Sequence, residues 1–463
     1  MSKNKVYEKS LGLLQDFLLT GRGFLYNFLR HGRVFRRVLS ELESIEHFDA
    51  DKIKEWQNKK LSLLMRHSYE NVPYYNRIFK KLGIIPADIK DMEDLKKLPF
   101  LTKEDVRRNP EDFLARNINR FFVTKNFTSG TSGKPLKLYR DLYSINFENA
   151  IVWRQRRWGG LDFSDRIGVI REEQIAPFEV KKPPFWRYSM AEKKLFLSAY
   201  HLSEENVSYY VKAIKDFKPK AIEAEPSLLY ILARLIKKQG ISSGTFSIKS
   251  IFTSSEMLLD MHRQLIEEVF GARIYDFYGN AERVAAIGMC EKGNYHVLPE
   301  YGITEFLSLY DQPGKAEIVG TALHNYAMPL LRYRTGDMVE LLDSDCACNR
   351  KFRTIKKIKG RISDFLICKD GRIAVDACYL TLKGVDNIMQ SQIIQENLDT
   401  IRIKFVPGEN FSKRDKDKII NNIKAYMGPD IGVILEENHE FVKDRTTRFR
   451  PFISKVGAKG ALL

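Results

Sequence analysis

No apolar run in this sequence reaches the length of a membrane-crossing helix, so no transmembrane segment is expected. Cysteine is scarce: there are five, an odd number, and they cluster between residues 290 and 378. The start, Met1-Ser2-Lys3-Asn4-Lys5, does not lead into the clean apolar core of a secretory signal. Together these point to a reducing, cytoplasmic location rather than a disulfide-stapled scaffold. Acidic side chains are in deficit, 59 against 76 Lys and Arg, which leaves a net charge of +17. That excess suits nucleotides, coenzyme A, acidic lipid or nucleic acid. No motif that reads RNA or DNA accompanies it, so no nucleic-acid partner is expected. Internal repeats and low-complexity tracts are also missing. What remains is a globular composition, 44% hydrophobic and 12% aromatic, over 463 residues, enough for two or three domains.

The densest chemical signal is the run Thr128-Ser129-Gly130-Thr131-Ser132-Gly133-Lys134-Pro135. Its glycines let the backbone approach an anion, and its hydroxyls and ammonium supply donors, as a polyphosphate cradle requires. Pro135 stands where a Walker loop needs Ser or Thr, so a Walker ATPase is disfavoured. A solvated Ser/Gly linker is the competing reading, but linkers rarely end in Gly-Lys-Pro before an ordered pattern.

Residues 1–95 read as mostly helical, with Pro73 breaking one helix and Thr102 capping another three residues before Asp105. From 142 to 278, helices alternate with strands. Helices are expected over 142–158, 204–217, 226–238 and 258–270, and strands over 166–170, 221–224, 250–253 and 273–278. This alternation predicts an α/β body with substantial parallel sheet. Residues 300–345 read as short β segments with turns, and a smaller α/β unit follows Gly360. Residues 11–39 carry leucines and phenylalanines interleaved with Arg22, Arg30, Arg33, Arg36 and Arg37. Such a helix either packs on the catalytic body or lies on a membrane surface, and the pattern leaves both readings open.

Three further motifs bear chemistry. In Asp276-Phe277-Tyr278-Gly279-Asn280-Ala281-Glu282, a strand runs into a Gly turn at the edge where α/β ligands bind. The Tyr278 ring suits stacking on a purine, and Glu282 suits Mg²⁺ bridging phosphates. In Arg332-Tyr333-Arg334-Thr335-Gly336-Asp337, the final carboxylate suits the hydroxyls of a ribose, although a surface hairpin has the same pattern. Gly360-Arg361-Ile362-Ser363-Asp364 sits at the junction to the C-terminal unit and reads as a hinge.

In this order, the four motifs resemble the adenylate-forming superfamily of acyl- and aryl-CoA ligases. The resemblance is strongest to the phenylacetate–CoA ligase branch and, within it, to CapK-like proteins of polysaccharide biosynthesis. It extends to Asn71-Val72-Pro73-Tyr74-Tyr75, Leu98-Pro99-Phe100-Leu101-Thr102-Lys103, Pro226-Ser227-Leu228-Leu229-Tyr230, Thr253-Ser254-Ser255-Glu256 and Met328-Pro329-Leu330-Leu331-Arg332-Tyr333. The resemblance implies an adenylation domain over 1–361 and a mobile lid over 362–463. It implies a two-step reaction: a carboxylate attacks the α-phosphorus of ATP, and a thiol or amine then displaces AMP. Thr128 to Lys134 would hold the β- and γ-phosphates, and Asp276, Tyr278 and Gly279 would line the adenine side. Glu282 would bind Mg²⁺, Asp337 and Arg361 would attend the ribose, and Ser363-Asp364 would be the hinge. Coenzyme A, or an amine or sugar, would accept the acyl group. An aryl-acid–CoA ligase and a nucleotide-binding scaffold without turnover are the alternatives.

The family's catalytic lid lysine corresponds here to Arg448, in Thr446-Thr447-Arg448-Phe449. Arginine keeps the charge and binds phosphate, but its planar fork is not the shape of an ammonium. Arg448 doing the lysine's work, another lysine such as Lys455 reaching in, and impaired adenylation all remain open. Ala281 likewise replaces a hydroxyl residue of the family. Finally, Cys290 and His296, with Cys346 and Cys348, make a Cys₃His set suited to structural Zn²⁺. Cys368 and Cys378 have no such partners and read as core.

Overall fold

The computed structural model describes residues 12–127, 136–309, 313–342, 344–361, 366–369, 373–374, 381–382, 384–385, 387–408, 410–438 and 452–456. Thr128–Pro135, Ser363, Asp364, Cys378 and Arg448 lie outside the described residues. The chain divides into two compact units. The first comprises Met1–Glu305, Val319–Thr335 and Leu342–Lys356, and the second Phe306–Ile318, Gly336–Leu341 and Lys357–Leu463.

The first unit opens with helices Gly12–Arg30, Arg33–Ile45, Ala50–Asn71 and Pro73–Leu82. Pro73 ends one helix and begins the next, because its missing N–H costs nothing in a first turn. Thr102 and Asp105 form a reciprocal capping box, with Asp105 N donating to Thr102 Oγ1 at 3.2 Å and Thr102 N donating back at 2.9 Å. The antiparallel pair β1 (Thr124–Phe127) and β2 (Lys137–Arg140) follows, with Phe127 opposite Lys137.

The sheet of this unit holds β3 (Ile167–Arg171), β4 (Trp186–Ser189), β5 (Lys194–Ser198), β6 (Ala221–Ala224), β7 (Ser250–Ser254), β8 (Arg273–Gly279), β9 (Ala286–Met289) and β10 (Tyr295–Val297). Their order is β10-β9-β8-β7-β6-β3-β5-β4. β5, β3, β6, β7 and β8 run parallel, and β4 and β9 are antiparallel additions. Helices Val207–Phe217, Pro226–Lys238 and Asp260–Phe270 make the crossovers. All four residues of β6 are buried, as expected of a strand covered on both faces.

Helix Leu142–Trp158 packs on the same body and is capped by Asp141, which accepts from Ser144 N at 2.6 Å. It carries the fully buried Arg154, which contacts Glu300 and pairs with Glu46 at 3.3 Å. A buried charge persists only with such partners.

Between 300 and 345 the chain forms β11 (Gly302–Ser308), β12 (Lys315–Ala322) and β13 (Tyr333–Leu341), of seven, eight and nine residues. These are longer than the short segments read from sequence, while the turns fall between them, with Gly314 at φ 76° before β12 and Asn325 after it. β14 (Thr354–Arg361) pairs with β10 through Ile355 and Thr354. Four of the five unit boundaries fall inside these four strands and the fifth at the end of β13.

The second unit continues with the hairpin β15 (Leu366–Ile367) and β16 (Ile373–Ala374). Its main sheet holds β17 (Ile388–Gln395), β18 (Thr400–Pro407), β19 (Gly432–Glu437) and β20 (Phe452–Ser454) in the order β19-β18-β17-β20. Helix Lys413–Met427 buries Ile419, Ile423 and Met427 against Ile401, Ile403 and Phe405. Cys368 lies in this core, as its lack of partners suggested.

Candidate functional site

The carboxyl ends of the parallel strands meet along one rim of the first unit. Arg171 ends β3 and donates from Nη2 to Ser254 Oγ of β7 at 3.3 Å. Ser227 N donates to Glu256 Oε2 at 3.1 Å, which joins two of the motifs read from sequence. Ser255 adopts φ 79°, an unfavourable backbone for a side-chain-bearing residue. Such rims are where open α/β sheets bind ligands.

β8 delivers the Tyr-Gly turn to this rim. Tyr278 is half-buried, Gly279 is exposed, and Glu282 is half-buried beyond the turn. Glu282 Oε1 accepts from Tyr333 OH at 2.9 Å. Arg140 Nη2 donates to the Ala281 carbonyl at 2.5 Å, so the residue that follows the Thr128–Pro135 segment through β2 braces the turn before Glu282. Burial and the adjacent Arg283 bring the Arg140 guanidinium down to about 10, which marks a locally cationic, poorly solvated corner. Arg283 itself sits at φ 58° and faces Glu148, 3.6 Å away.

Asp276 is placed differently from its neighbours. It is buried, with Oδ1 accepting from Thr253 Oγ1 at 2.5 Å and Oδ2 from Tyr295 OH at 2.7 Å. Burial raises its carboxyl to about 6, against the opposing pull of those hydrogen bonds. Its carboxylate thus ties β8 to β7 and β10. Tyr200 is half-buried against Phe178, while His201 is buried, stacked on Phe185 and bonded through Nδ1 to Ser198 Oγ at 2.8 Å.

Several motifs prove to be one scaffold. Tyr75 OH donates to Pro329 O at 3.2 Å and accepts from Leu331 N at 2.9 Å. Arg332, at φ 50°, pairs with Glu305 at 2.8 Å and donates to Leu98 O at 2.5 Å. Leu101 bridges Tyr333, so the Leu98–Lys103 segment is clamped beside the residue that holds Glu282. Arg140 and Tyr333 were missed as partners of the Glu282 turn. Tyr333 stood within a recognised motif, but nothing in the sequence says which carboxylate a phenol will reach.

In the second unit, Asp337 is buried and its Oδ1 lies 3.4 Å from Arg361 Nε. Gly336, at φ 72°, turns the strand there and donates its N–H to Glu317 Oε1 at 3.1 Å. Asp337 and Arg361, assigned together from sequence, are therefore paired in space.

Cys290, His296, Cys346 and Cys348 converge, with ligand atoms all within 4.8 Å of one another. Cys290 follows β9, His296 lies in β10, and Gly293 at φ 81° closes the turn between them. The Cys290 and Cys346 sulfurs are 3.7 Å apart, and Cys348 Sγ is 3.3 Å from His296 Nε2. Two thiolates on one tetrahedral ion stand ~3.8 Å apart, and a thiolate and imidazole ~3.6 Å, so the donor set fits one such ion. His296 Nδ1 donates to Phe352 O at 3.2 Å, which fixes the tautomer and aims the Nε2 lone pair at the cluster. Asn294 Nδ2 donates to Cys346 Sγ at 3.2 Å and Lys292 N to Cys290 Sγ at 3.3 Å, the outer support a thiolate site needs.

The family model described as the CapK C-terminal domain matches residues 367–455. CapK of Staphylococcus aureus is 26% identical over 443 residues, 95% of each chain. A phenylacetate-coenzyme A ligase of Aromatoleum evansii is 29% identical over 421 residues, 84% of this chain and 91% of that one. Among solved structures, 2-hydroxyisobutyryl-CoA ligase in the postadenylation state, in complex with R3-HIB-AMP, superposes with TM-score 0.69 at 17% identity, covering 89% of this chain and 91% of that one. The chain is a homologue of CapK and of the phenylacetate-coenzyme A ligases, and it has the fold of the adenylate-forming acyl-CoA ligases.

Proposed function

We propose that this chain is an ATP-dependent, AMP-forming ligase. It activates a carboxylic acid as its acyl-adenylate and passes the acyl group to a thiol or amine acceptor. The observation that carries this reading is the turn after β8, where Tyr278 and Glu282 stand on the carboxyl rim of a parallel sheet and Tyr333 holds Glu282. Tyr278 stacks on adenine. Glu282 holds the magnesium ion that neutralises charge on the transferring phosphate. Thr128, Ser129, Gly130, Thr131, Ser132, Gly133 and Lys134 cradle the β- and γ-phosphates, and Asp337 with Arg361 takes the ribose. Arg448, on a lid of residues 362–463 hinged at Ser363-Asp364, supplies the cation that the incoming carboxylate and the α-phosphate share.

Coenzyme A is the first candidate acceptor. Transfer to an amine or sugar in surface-polysaccharide assembly is the second. The Cys₃His cluster binds zinc in a structural role, since four protein ligands leave no open position. We place the protein in the cytoplasm, touching the inner face of the membrane through residues 11–39. Among the described residues no helix is long and apolar enough to cross a membrane.

The test is incubation with ATP, Mg²⁺, hydroxylamine and a panel of organic acids. Acid-dependent hydroxamate with equimolar AMP is expected. ADP in place of AMP, or no hydroxamate with any acid from protein that binds ATP, would sink the ligase reading.

A further inference from the structure

Apart from the buried Leu19, helix Gly12–Arg30 turns its polar side inward and its apolar side out. Its polar side faces the protein: Asp16 accepts from Tyr188 N at 2.8 Å, Thr20 Oγ1 accepts from Met190 N at 3.2 Å, and Asn27 Nδ2 donates to Ala191 O at 2.7 Å. Gly23 permits this approach, since a Cβ there would meet Ser189 Oγ at 2.9 Å. The apolar side faces outward, with Phe17, Phe24 and Phe28 exposed by 72%, 65% and 81% beside Leu14, Leu18, Leu25 and Leu29. A stripe of this kind normally faces a core.

Beside this stripe lies a cleft of about 730 Å³ that the same helix helps to line through Tyr26 and Arg30. Its cations are Arg30, Arg36, Arg156, Arg157 and Lys194. Of its carboxylates, Glu43 contacts Arg157, Asp165 pairs with Lys220 at 2.7 Å, and Glu192 acts on Arg156. Glu223, beyond the lining, contacts Arg156 and pairs with Lys194 at 3.1 Å. Arg30 and Arg36 are left with no carboxylate partner among the described residues. His31, also in the lining, is held down to about 4 by burial and then by Arg156, Lys194 and Arg30, as in a positive field.

The cleft opens at the amino ends of β3 and β5, where Ile167 and Lys194 begin their strands. Tyr278 and Gly279 end the parallel strand β8, so the cleft is at the opposite edge of the sheet from the turn assigned to nucleotide.

We propose that this cleft binds the phosphate headgroup of an anionic lipid within a bilayer, with Arg30 and Arg36 as its counter-charges, while the apolar stripe meets the acyl chains. The proposal rests on the membrane reading of residues 11–39. Cations in the cleft without carboxylate partners, and an apolar face on the helix that carries one of them, Arg30, are the two parts such a ligand needs.

The test is flotation of the full chain with vesicles of phosphatidylcholine alone and with added phosphatidylglycerol. A preference of about tenfold or more for the anionic vesicles is expected. Arg30→Gln/Arg36→Gln should abolish that preference and keep the residual binding, while Phe17→Ser/Phe24→Ser/Phe28→Ser should lose binding to both. Arg33→Gln/Arg37→Gln, on exposed positions outside the cleft, should cost clearly less than the cleft pair. Equal losses from the two arginine pairs would mean diffuse attraction and would overturn the site. Equal binding of the native chain to both vesicles would overturn the headgroup site and leave the helix reading standing. No binding to either would remove both. Stoichiometric binding of glycerol 3-phosphate without any vesicle preference would reassign the cleft to a soluble phosphate and overturn the lipid. Unchanged melting temperatures establish that the variants are folded.

Discussion

Glu282 is held by one phenol and backed by a turn that Arg140 braces. If it carries the metal at the phosphates, Glu282→Gln should lower adenylation on the order of a hundredfold, as loss of a pre-placed electrostatic group does. Tyr333→Phe should cost much less, because the carboxylate remains. A Glu282→Gln protein with the native rate would remove the residue from the mechanism. His324 offers a test of the packing instead. It is buried, stacked on Phe147 at 4.7 Å and bonded through Nδ1 to Tyr301 O at 2.9 Å. Burial lowers it to about 4 from 6.5, so the folded state prefers the neutral ring. Its stabilising contribution is therefore complete above about pH 6.5 and is lost as pH falls towards 4. The melting-temperature gap between the native chain and His324→Phe should narrow across that window. A constant gap would show that the ring titrates normally.

Among the elements, the β9–β10 hairpin and the loop before β14 bring three thiols and an imidazole to one point. Purified protein should contain about one zinc per chain, and Cys346→Ser/Cys348→Ser should contain almost none, as a four-ligand structural site requires. Equal and negligible zinc in both would end the assignment. The convergence of these four residues was legible in the sequence, because three thiols and an imidazole are scarce side chains that share one chemistry. The partners of the Glu282 turn were not, since the hydrogen bonds from Arg140 to Ala281 O and from Tyr333 to Glu282 span distances along the chain that no local pattern records. Helix Gly12–Arg30 shows a different limit. Its amphipathic pattern was plain, but the pattern cannot say which face the body takes, and the body takes the polar one.

Across the whole molecule, β3, β6, β7 and β8 were readable because each is a short apolar segment set off by helices, whereas β4 and β5, an antiparallel pair with no helix between them and β3, were not. The lengths of β11, β12 and β13 were not either, since how far a strand runs depends on the partners it meets across the sheet. Asp337 and Arg361 were named together and stand paired, whereas Asp276, named with Tyr278, has its carboxylate inside the sheet. The central claim is that these parts serve AMP-forming activation of a carboxylate. Its most direct test is acid-dependent exchange of labelled pyrophosphate into ATP by the full chain across a panel of acids. Exchange with at least one acid, lost in Glu282→Gln, is predicted. No exchange with any acid, from protein that binds ATP normally, would contradict it.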